Sequence, residues 1–367
     1  MKFRVIKKDK TTKARMGILY LNSKKIKTPV LWLGCMIKNK PRPWEYFDVN
    51  AVMVNAYGII EEEININRTI HDLLNINGMV MMDSGGFQLM KKNVHITPTK
   101  LLEIYKQAKP DIGVVLDFPF NPLDLESRIK RWKKTLENTK FMLSNSHDIV
   151  LMPVIHGYTL EEIRRACNEL KDIAYPKFVG VGSLVPILRC MKTSELSKLN
   201  GMNTIKFMID AISIIRREFP DAFLHVFGVG SVTTMHLMFS LGVDSVDSMS
   251  WRIKAAYGAI QLPGTGDRFI SPKNGRRQLE EDYLLEKCKC PICIDKSVSE
   301  RKNALDNSNS NTFFNRAIHN AFVFKEEERI FHEVLIKNNT AEFIKERLKG
   351  TRYYKIFKDS VTSSERS

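Results

Sequence analysis

Residues 79–88 read Met-Val-Met-Met-Asp-Ser-Gly-Gly-Phe-Gln, four apolar residues that end at Asp83 and lead into a glycine turn. A short apolar run that ends at a turn is typical of a strand buried on both faces, as in a parallel sheet. Apolar residues at helical spacing follow at 97–109. The stretch therefore predicts one strand–helix unit of an α/β protein.

The same unit recurs along the chain. Apolar segments that end in a small or polar residue predict eight strands, at 30–34, 51–55, 79–83, 112–117, 149–156, 178–183, 224–230 and 243–247. Amphipathic helices are predicted at 97–109, 127–144, 160–171 and 203–217. Eight units over roughly 250 residues predict an α/β fold of the (β/α)8 TIM barrel type, which with an N-terminal extension would fill residues 1–270. A doubly wound open sheet shares this alternation and is the alternative.

The predicted strands end in polar residues. In a parallel barrel the carboxyl ends of all strands open onto one mouth, where active sites lie. The residues expected around that mouth are Asn55, Asp83, Asp117, His156, Ser183, Gly230 and Asp247. Carboxylates that share one cleft are typical of catalysis, because solvated structural acids need not converge.

The turn after the strand at 79–83 has the composition of a ligand-binding loop. Gly85 and Gly86 would allow the backbone to approach a planar ligand closely, while Asp83 and Gln88 offer hydrogen-bonding groups. An ordinary turn has the same composition, so the segment alone does not identify a site.

A second aspartate motif lies at 242–248. Strand alternation places Asp244 and Asp247 on opposite faces, so only one of them is expected to point into the mouth. A carboxylate there can attack an anomeric carbon and form a covalent glycosyl-enzyme, with Asp83 across the mouth handling the proton. The alternative is an aspartate that caps the next helix.

The charge of the chain indicates a polyanionic partner. It has 57 Lys+Arg against 41 Asp+Glu, a formal net charge of +16. Such a surface attracts phosphate, although a host with a lysine-rich proteome would produce the same excess. Basic residues alternate with aromatic ones near the C-terminus, and these can follow a phosphate backbone and stack on a base or simply form a charged helix face. They are Lys345, Arg347, Lys349, Arg352, Tyr353, Tyr354 and Lys355.

A cysteine cluster predicts a metal site. Cys288, Cys290 and Cys293 lie within six residues, and a histidine downstream, His319 or His332, would complete four ligands. Three thiolates and an imidazole form a closed tetrahedral shell, so the expected Zn²⁺ is structural. We expect a zinc-binding subdomain with C-terminal helices at 271–350, the helices lying at 313–324 and 327–349. A basic, disordered tail is expected at 351–367.

The longest apolar runs are far shorter than a membrane span. The N-terminus is basic but lacks the apolar segment of a signal peptide. We therefore expect a cytoplasmic protein that does not contact membranes.

Taken together, these motifs resemble those of the tRNA-guanine transglycosylase superfamily, and the resemblance covers most of the chain. The segments that carry it are 15–17, 28–30, 55–57, 83–88, 180–184, 227–230, 244–248, the cysteine cluster and 319–320. The family's fold is a (β/α)8 barrel with a zinc-binding insertion near its C-terminal end. The resemblance implies a glycosyltransferase that replaces guanine in a polynucleotide with a 7-deazaguanine such as preQ0.

The resemblance also implies residue roles. Asp247 would be the nucleophile that holds the sugar covalently, and Asp83 the general acid/base. Asp117 would bind the amino group and ring N–H of the purine, and Phe87 would stack on the base. Residues expected around the base are Phe87, Gln88, Asp117, His156, Gly182, Ser183, Leu184 and Gly230. The zinc ligands would be Cys288, Cys290, Cys293 and His319.

This chain departs from the family pattern at three places. Bacterial members carry Gln-Gly where this chain has His156-Gly157, and Ser183 stands where glycine is usual. The bacterial Pro-Thr-Arg after the nucleophile is replaced by residues 249–252. Archaeal members append an RNA-binding module for which this chain leaves no room. The pattern is most similar to the DpdA branch, which inserts 7-deazaguanines into DNA.

We therefore expect DNA rather than tRNA as the polynucleotide, with helper proteins needed if a duplex must be opened. The residues expected to contact it are Trp251, Arg252, Lys273, Arg276 and Arg277. The alternatives are a tRNA-modifying transglycosylase and a non-catalytic subunit that only binds nucleic acid. The presence of both Asp83 and Asp247 argues against the last.

Overall fold

The computed structural model describes residues 2–64, 66–146, 148–189, 204–272 and 275–358. The chain begins with an antiparallel sheet of β1 (Lys2–Lys8), β2 (Arg15–Leu21) and β3 (Lys24–Thr28), in the order β1-β2-β3. No secondary structure was predicted for this extension from the sequence. The alternating burial along β1 is the pattern of a strand with one face against the protein.

A parallel sheet forms the centre of the molecule. Its strands are β4 (Val30–Gly34), β5 (Ala51–Asn55), β6 (Met79–Asp83), β7 (Ile112–Val114), β8 (Leu151–Met152), β9 (Val154–Ile155), β10 (Phe178–Val181), β11 (Phe223–Val226) and β12 (Ser245–Ser248). Their order is β8-β7-β6-β5-β4-β12-β11-β10-β9, and every pair is parallel.

The two ends of this sheet are halves of one predicted strand. The segment predicted at 149–156 is interrupted at Pro153, which has no N–H to donate to a ladder. β7 pairs with the half before the proline, and β10 pairs with the half after it. The carbonyl oxygen of Pro153 still accepts from the Gly180 N–H at 2.8 Å. The sheet thus closes on itself, and the prediction of an eight-stranded barrel is confirmed.

Helices follow the barrel strands as predicted. They are α1 (Ala56–Glu61), α2 (Ile70–Leu74), α3 (Gly86–Lys92), α4 (Pro98–Ala108), α5 (Arg128–Asn145), α6 (Leu160–Ile173), α7 (Leu184–Arg189), α8 (Thr204–Glu218), α9 (Thr234–Ser240) and α10 (Ser250–Ala256). The start of α6 shows why: the side chains of Thr159 and Glu162 form a capping box, and Ile163 and Leu170 are buried on one face.

Asp244 connects the N-terminal sheet to the barrel floor. Its buried carboxylate accepts from Arg15 Nε at 2.8 Å and Nη2 at 2.7 Å, from Arg216 Nη2 at 2.8 Å and from the Leu224 N–H at 2.8 Å. Asp247, three residues on, lies at the opposite end of the strand. The structure thus brings only one of the two aspartates to the mouth, as predicted, and their positions at opposite ends of the strand contribute to this separation.

The C-terminal region contains α11 (Asp282–Glu286), α12 (Val298–Leu305), α13 (Phe313–Ile336) and α14 (Thr340–Leu348). The predicted break between helices at 325–326 was wrong. Residues 325–328 are Lys-Glu-Glu-Glu, good helix formers, so α13 continues through them. The helix ends instead before Asn338, which adopts a positive φ of 54°.

The prediction of a disordered tail at 351–367 was wrong for the residues that directly follow α14. Tyr353 and Phe357 are buried in the main core, 8% and 2% exposed, so residues 351–358 do not belong to a disordered tail. Residues 359–367 of that predicted tail lie outside the described residues. The proposed division at residue 270 remains a prediction. Over the described part of the chain, no helix combines the length and apolar content needed to cross a membrane.

We expect Asp244→Ala to lower the free energy of unfolding by about 3–5 kcal/mol, because two buried guanidinium groups would lose their partner. Urea unfolding followed by tryptophan fluorescence measures this change. The control is Asp210→Ala, which removes only the surface pair with Lys206 and should cost less than about 1 kcal/mol. Equal costs for the two variants would contradict a structural role for Asp244.

Candidate active site

Three carboxylates meet at the mouth of the barrel. Asp83 is the last residue of β6, Asp117 follows β7 by three residues, and Asp247 lies in β12. Both Asp117 and Asp247 are close enough to Asp83 to raise its pKa. The structure therefore brings the predicted acids together at the carboxyl ends of the strands, where barrel enzymes place their chemistry.

The loop after β11 holds Asp247. The Gly228 N–H donates to its Oδ1 at 2.6 Å, and the Gly230 N–H donates to its main-chain oxygen at 3.0 Å. A Cβ on Gly230 would overlap that carbonyl oxygen. Gly230, predicted to contact the base, thus fits here as a residue that positions the Asp247 backbone.

The Asp83 carboxyl group accepts no short hydrogen bond from its neighbours among the described residues. The Gly85 N–H lies 3.2 Å and the Asn55 Nδ2 3.4 Å from its Oδ2, so both hydrogen bonds are long. Burial, followed by the negative charges of Asp117 and Asp247, raises the pKa of Asp83 to about 8. Asp83 is therefore protonated at neutral pH, and the edge that remains partly exposed can give up that proton in the mouth.

Asp117 is oriented from two sides. Ser84 Oγ donates to its Oδ1 at 2.7 Å, and the Nε2 of the buried His156 lies 3.0 Å from its Oδ2. The other ring nitrogen of His156 is 2.9 Å from Ser183 Oγ, which also accepts from the Phe120 N–H at 2.8 Å. Asp117, His156 and Ser183 therefore form one connected group.

The glycine before Ser183 makes room for His156. A Cβ on Gly182 would overlap the imidazole, so a residue with a side chain could not stand there. Ser183 adopts a positive φ of 64°, in the left-handed region that glycine usually occupies. Leu184 begins α7 and is buried. The predicted segment thus lies in the mouth, with the Ser183 hydroxyl engaged by His156.

Phe87 and Gln88 lie in the first turn of α3, and both are exposed. Phe87 is 50% exposed, which is uncommon for a phenylalanine. A Cβ on Gly86 would overlap the main-chain oxygen of Asp117. This close approach holds the start of α3 against Asp117, and the exposed Phe87 ring is available for stacking.

The predicted nucleic-acid contacts differ in their exposure. Trp251 is fully buried and its Nε1 donates to the Gly34 carbonyl at 3.0 Å, so its side chain is part of the core and cannot contact nucleic acid. Arg252 packs over the Phe313 ring at 5.2 Å. Arg277 is exposed and lies 3.3 Å from a carboxylate oxygen of Glu281.

Two further basic residues belong to the same prediction. Arg276 is exposed, lies over the Phe269 ring at 4.8 Å and donates to the Tyr257 carbonyl at 2.9 Å. Lys273 lies outside the described residues. The exposed Arg276 and Arg277 stay available to a polyanion, whereas Trp251 does not.

Two arginines of the basic C-terminal stretch make contacts within the protein. Arg347 lies 3.3 Å from the buried Glu327 and covers the Phe343 ring. Arg352 donates to the Leu188 carbonyl at 3.2 Å. These contacts favour the simpler interpretation of the stretch, a charged helix face that holds the C-terminus on the barrel.

A cavity beside Asp117 was not predicted from the sequence. It has a volume of about 300 Å³, lies between α3 and α5, and has a largely apolar lining to which Lys130, Arg131 and Lys134 add positive charge. Lys130 and Lys134 are exposed. The lysines follow the helical spacing of α5, but the sequence does not show that this helix face adjoins Asp117.

His225 was also missed. It is fully buried in β11, and its Nε2 lies 3.3 Å from Asp247 Oδ1. The signal was present in the sequence, because His225 stands between Leu224 and Val226 in an apolar strand, and an ionisable side chain buried there needs a partner.

The cysteine cluster can hold a metal ion. His319 Nδ1 lies 3.6, 3.4 and 3.6 Å from the Sγ atoms of Cys288, Cys290 and Cys293, and all four atoms lie within 4.8 Å of one another. A tetrahedral zinc with bonds of about 2.3 Å to sulfur and about 2.0 Å to nitrogen has S···N edges of about 3.6 Å. The four residues therefore fit zinc.

The histidine left open by spacing is decided by the structure. His319 Nε2 lies 2.8 Å from the Gln261 carbonyl, which places the ring proton there and leaves Nδ1 free for a metal. His332 lies elsewhere, with its Nε2 2.7 Å from the Pro29 carbonyl. Among the described residues, this group is the one candidate metal site.

A parallel barrel with convergent acids at its mouth defines an enzyme-type scaffold. The family model described as "TGT: Queuine tRNA-ribosyltransferase" matches residues 9–353, and the chain belongs to this family. The resemblance to the tRNA-guanine transglycosylase superfamily is thereby confirmed.

Curated relatives carry the name tRNA-guanine(15) transglycosylase. The protein from Pyrococcus abyssi is 29% identical over 90% of this chain and 53% of its own length. That from Methanopyrus kandleri is 30% identical over 78% of this chain and 60% of its own length. That from Methanobrevibacter smithii is 26% identical over 94% and 50%. The chain thus spans about half the length of the curated relatives it matches. None of these names supports the DpdA branch.

We expect Cys290→Ser to release the bound metal and to lower the melting temperature, because a structural metal contributes directly to folding. Elemental analysis and thermal unfolding measure the two effects. The matched control is Cys167→Ser, which changes a buried free cysteine in α6 and should leave the metal content unchanged. A stable, metal-free Cys290→Ser protein would count against the site.

Proposed function

We propose that this chain is a guanine transglycosylase that exchanges a guanine base in a polynucleotide through a covalent aspartyl–sugar intermediate. The observation that carries the proposal is the contrast between two acids of one mouth. Asp247 accepts the Gly228 N–H on Oδ1 at 2.6 Å, and a carboxylate that only accepts hydrogen bonds is the form that serves as a nucleophile. Asp83, with a pKa of about 8, holds a proton at neutral pH. A nucleophile must be ionised and a general acid must be protonated.

The reaction follows from these two states. The Asp247 carboxylate attacks C1′ of the target nucleotide, the bond from C1′ to the base breaks, and the departing guanine takes the proton of Asp83. The incoming base then gives its ring proton to the Asp83 carboxylate, and its nitrogen attacks C1′. The bond to Asp247 breaks and the carboxylate is restored. Two displacements at one carbon retain its configuration.

Base recognition is assigned to the remaining residues of the mouth. Asp117, held by Ser84 and His156, would accept from the amino group and ring N–H of the purine. Phe87 would stack on the base, and the backbone at 182–184 would border it. The incoming base is a 7-deazaguanine, as the family resemblance implies, and the target nucleotide must be flipped out of its stack to reach Asp247.

The metal proposed for Cys288, Cys290, Cys293 and His319 is zinc in a structural role. Its chemistry there is to fix the fold, because four protein ligands close the tetrahedral shell. The three cysteines lie in or against a small apolar core that includes Leu285 and Leu305 and is separate from the main core. The three acids of the mouth belong to the barrel.

We propose tRNA as the polynucleotide. Each relative described above is named for tRNA, and the net charge of +16 suits any polyanion. Lys130, Arg131 and Lys134 provide positive charge beside Asp117. DNA, expected from the departures in sequence, remains a prediction that the comparisons do not support. A cytoplasmic location and a need for helper proteins likewise remain predictions.

Labelled guanine tests the proposal directly. We expect the purified protein to incorporate label into unmodified tRNA, and Asp247→Ala to abolish incorporation by a factor of about 10³ or more while retaining its metal. The measurement is acid-precipitable label with tRNA, single-stranded DNA and duplex DNA offered in parallel. Asp210→Ala serves as the control for handling of a variant.

The arms of this experiment separate the candidates. Label in DNA alone would overturn the tRNA proposal and establish the DNA-modifying alternative. Full base exchange by the Asp247→Ala variant would show that Asp247 is not the nucleophile. Tight tRNA binding without exchange in any arm would instead favour the non-catalytic subunit.

The pKa of Asp83 predicts a pH-dependent stability. Folding raises this pKa from 3.8 to about 8, so the folded state binds the proton more tightly and loses stability as pH rises from about 4 to about 8. We expect Asp83→Asn to melt above the wild type, with a gap that widens over this range and then stays constant. Differential scanning fluorimetry at each pH measures the gap. The same gap at every pH would contradict the raised pKa.

A further inference from the structure

His225 is held rigidly inside the barrel. Its Nδ1 lies 2.7 Å from Ser245 Oγ on the neighbouring strand β12, and the ring meets that of Phe227 edge-on, with centroids 4.4 Å apart. The side chain is fully buried, and Ser245 is fully buried as well. These contacts fix the orientation of the imidazole ring, so that its second nitrogen, Nε2, faces Asp247.

The Nε2 atom of His225 has an incomplete environment. It lies 3.3 Å from Asp247 Oδ1, but the N–H points off the line to that oxygen, so the contact is electrostatic rather than a formed hydrogen bond. No other hydrogen-bond partner for it exists among the described residues. An unsatisfied buried nitrogen is costly and uncommon, and in native proteins it calls for a functional explanation.

The proton of the imidazole can be assigned from its neighbours. A lone pair on Nε2 would face the negative charge of Asp247, so the proton lies on Nε2. Nδ1 then either accepts the Ser245 hydroxyl proton in the neutral ring or donates to that oxygen in the charged one. In both cases an N–H is directed towards the nucleophile side of the mouth.

We propose that His225 is a positioning residue for Asp247, which confines nucleophilic attack to Oδ2. This rests on the proposed function. Oδ1 already receives the Gly228 N–H at 2.6 Å and faces His225. Oδ2 has no hydrogen bond within the described residues and is therefore the oxygen available to bond to C1′. Together with the Gly228 N–H, the imidazole N–H holds the orientation of the carboxylate, so that attack by Oδ2 needs no rotation of the side chain.

The same arrangement occurs at Asp117. Asp117 faces the Nε2 of the buried His156, whose Nδ1 lies 2.9 Å from Ser183 Oγ. In both cases a serine hydroxyl contacts one ring nitrogen of a histidine, and the other ring nitrogen faces a carboxylate. Asp83, the proposed general acid, has no histidine of this kind among the described residues, so the arrangement accompanies the two acids to which the proposed reaction gives no proton transfer.

Single-turnover formation of the protein–polynucleotide adduct tests the inference, with denaturing gels as the readout. His225→Phe keeps the ring but removes the N–H, and it should slow adduct formation about 10- to 100-fold, as expected for loss of one interaction with a charged group. His225→Gln offers an amide N–H at a similar reach and should recover to within about tenfold of the wild type. KM for the polynucleotide should change less than about twofold, because ground-state binding does not involve this contact.

The matched control is His236→Gln. His236 is also fully buried, with Nε2 2.5 Å from Glu327 Oε2, but it lies away from the three acids. It should lower the melting temperature and leave the adduct rate unchanged. A His225→Phe variant with the wild-type rate would overturn the inference. If that variant does not fold, Ser245→Ala decides instead: a slowed adduct step with unchanged KM supports the inference, and a wild-type rate overturns it. An inactive wild type would overturn the proposed function itself.

Discussion

Closure of the parallel sheet is the constraint on which the rest of the structure depends. One strand must pair on both sides for the barrel to close, and it does so across Pro153, one half pairing with β7 and the other with β10. Once closed, the carboxyl ends of all strands share one rim. Residues far apart in sequence, such as Asp83 and Asp247, are thereby brought to one mouth. At the other end of the barrel, Asp244 forms ion pairs with Arg15 and Arg216 that stabilise the barrel floor.

Three carboxylates share one partly buried mouth, and charges of the same sign placed close together oppose one another's ionisation. Burial raises the pKa of Asp83 most, and the charges of Asp117 and Asp247 raise it as well, to about 8 in all. The hydrogen-bond donors are also distributed unequally: Asp247 and Asp117 each have a strong donor and a facing imidazole, whereas Asp83 has two long contacts. Asp83 is therefore the acid that holds the proton. The division of labour in the proposed reaction follows from burial, neighbouring charge and local donors, and it does not require different residue types.

Several residues that were predicted to bind the polynucleotide have structural contacts instead. The indole of Trp251 belongs to the core, and the basic C-terminal residues Arg347 and Arg352 hold the chain on the barrel. The cations that line a cavity with Asp117 come from α5 instead. Since the chain matches about half the length of its curated relatives, their tRNA specificity applies to this chain only as a proposal.

The sequence by itself determined the elements and the chemistry-bearing residues whose signal is local. Apolar runs predicted the strands, helical spacing predicted the helices, and cysteine spacing predicted the metal site. Only the tertiary structure decided what depends on neighbours distant in sequence. It selected His319 over His332, buried Trp251, placed His225 beside Asp247 and raised the pKa of Asp83. The reason is physical: burial, donor geometry and electrostatic coupling arise from groups that the closed barrel brings together, and no local pattern records them.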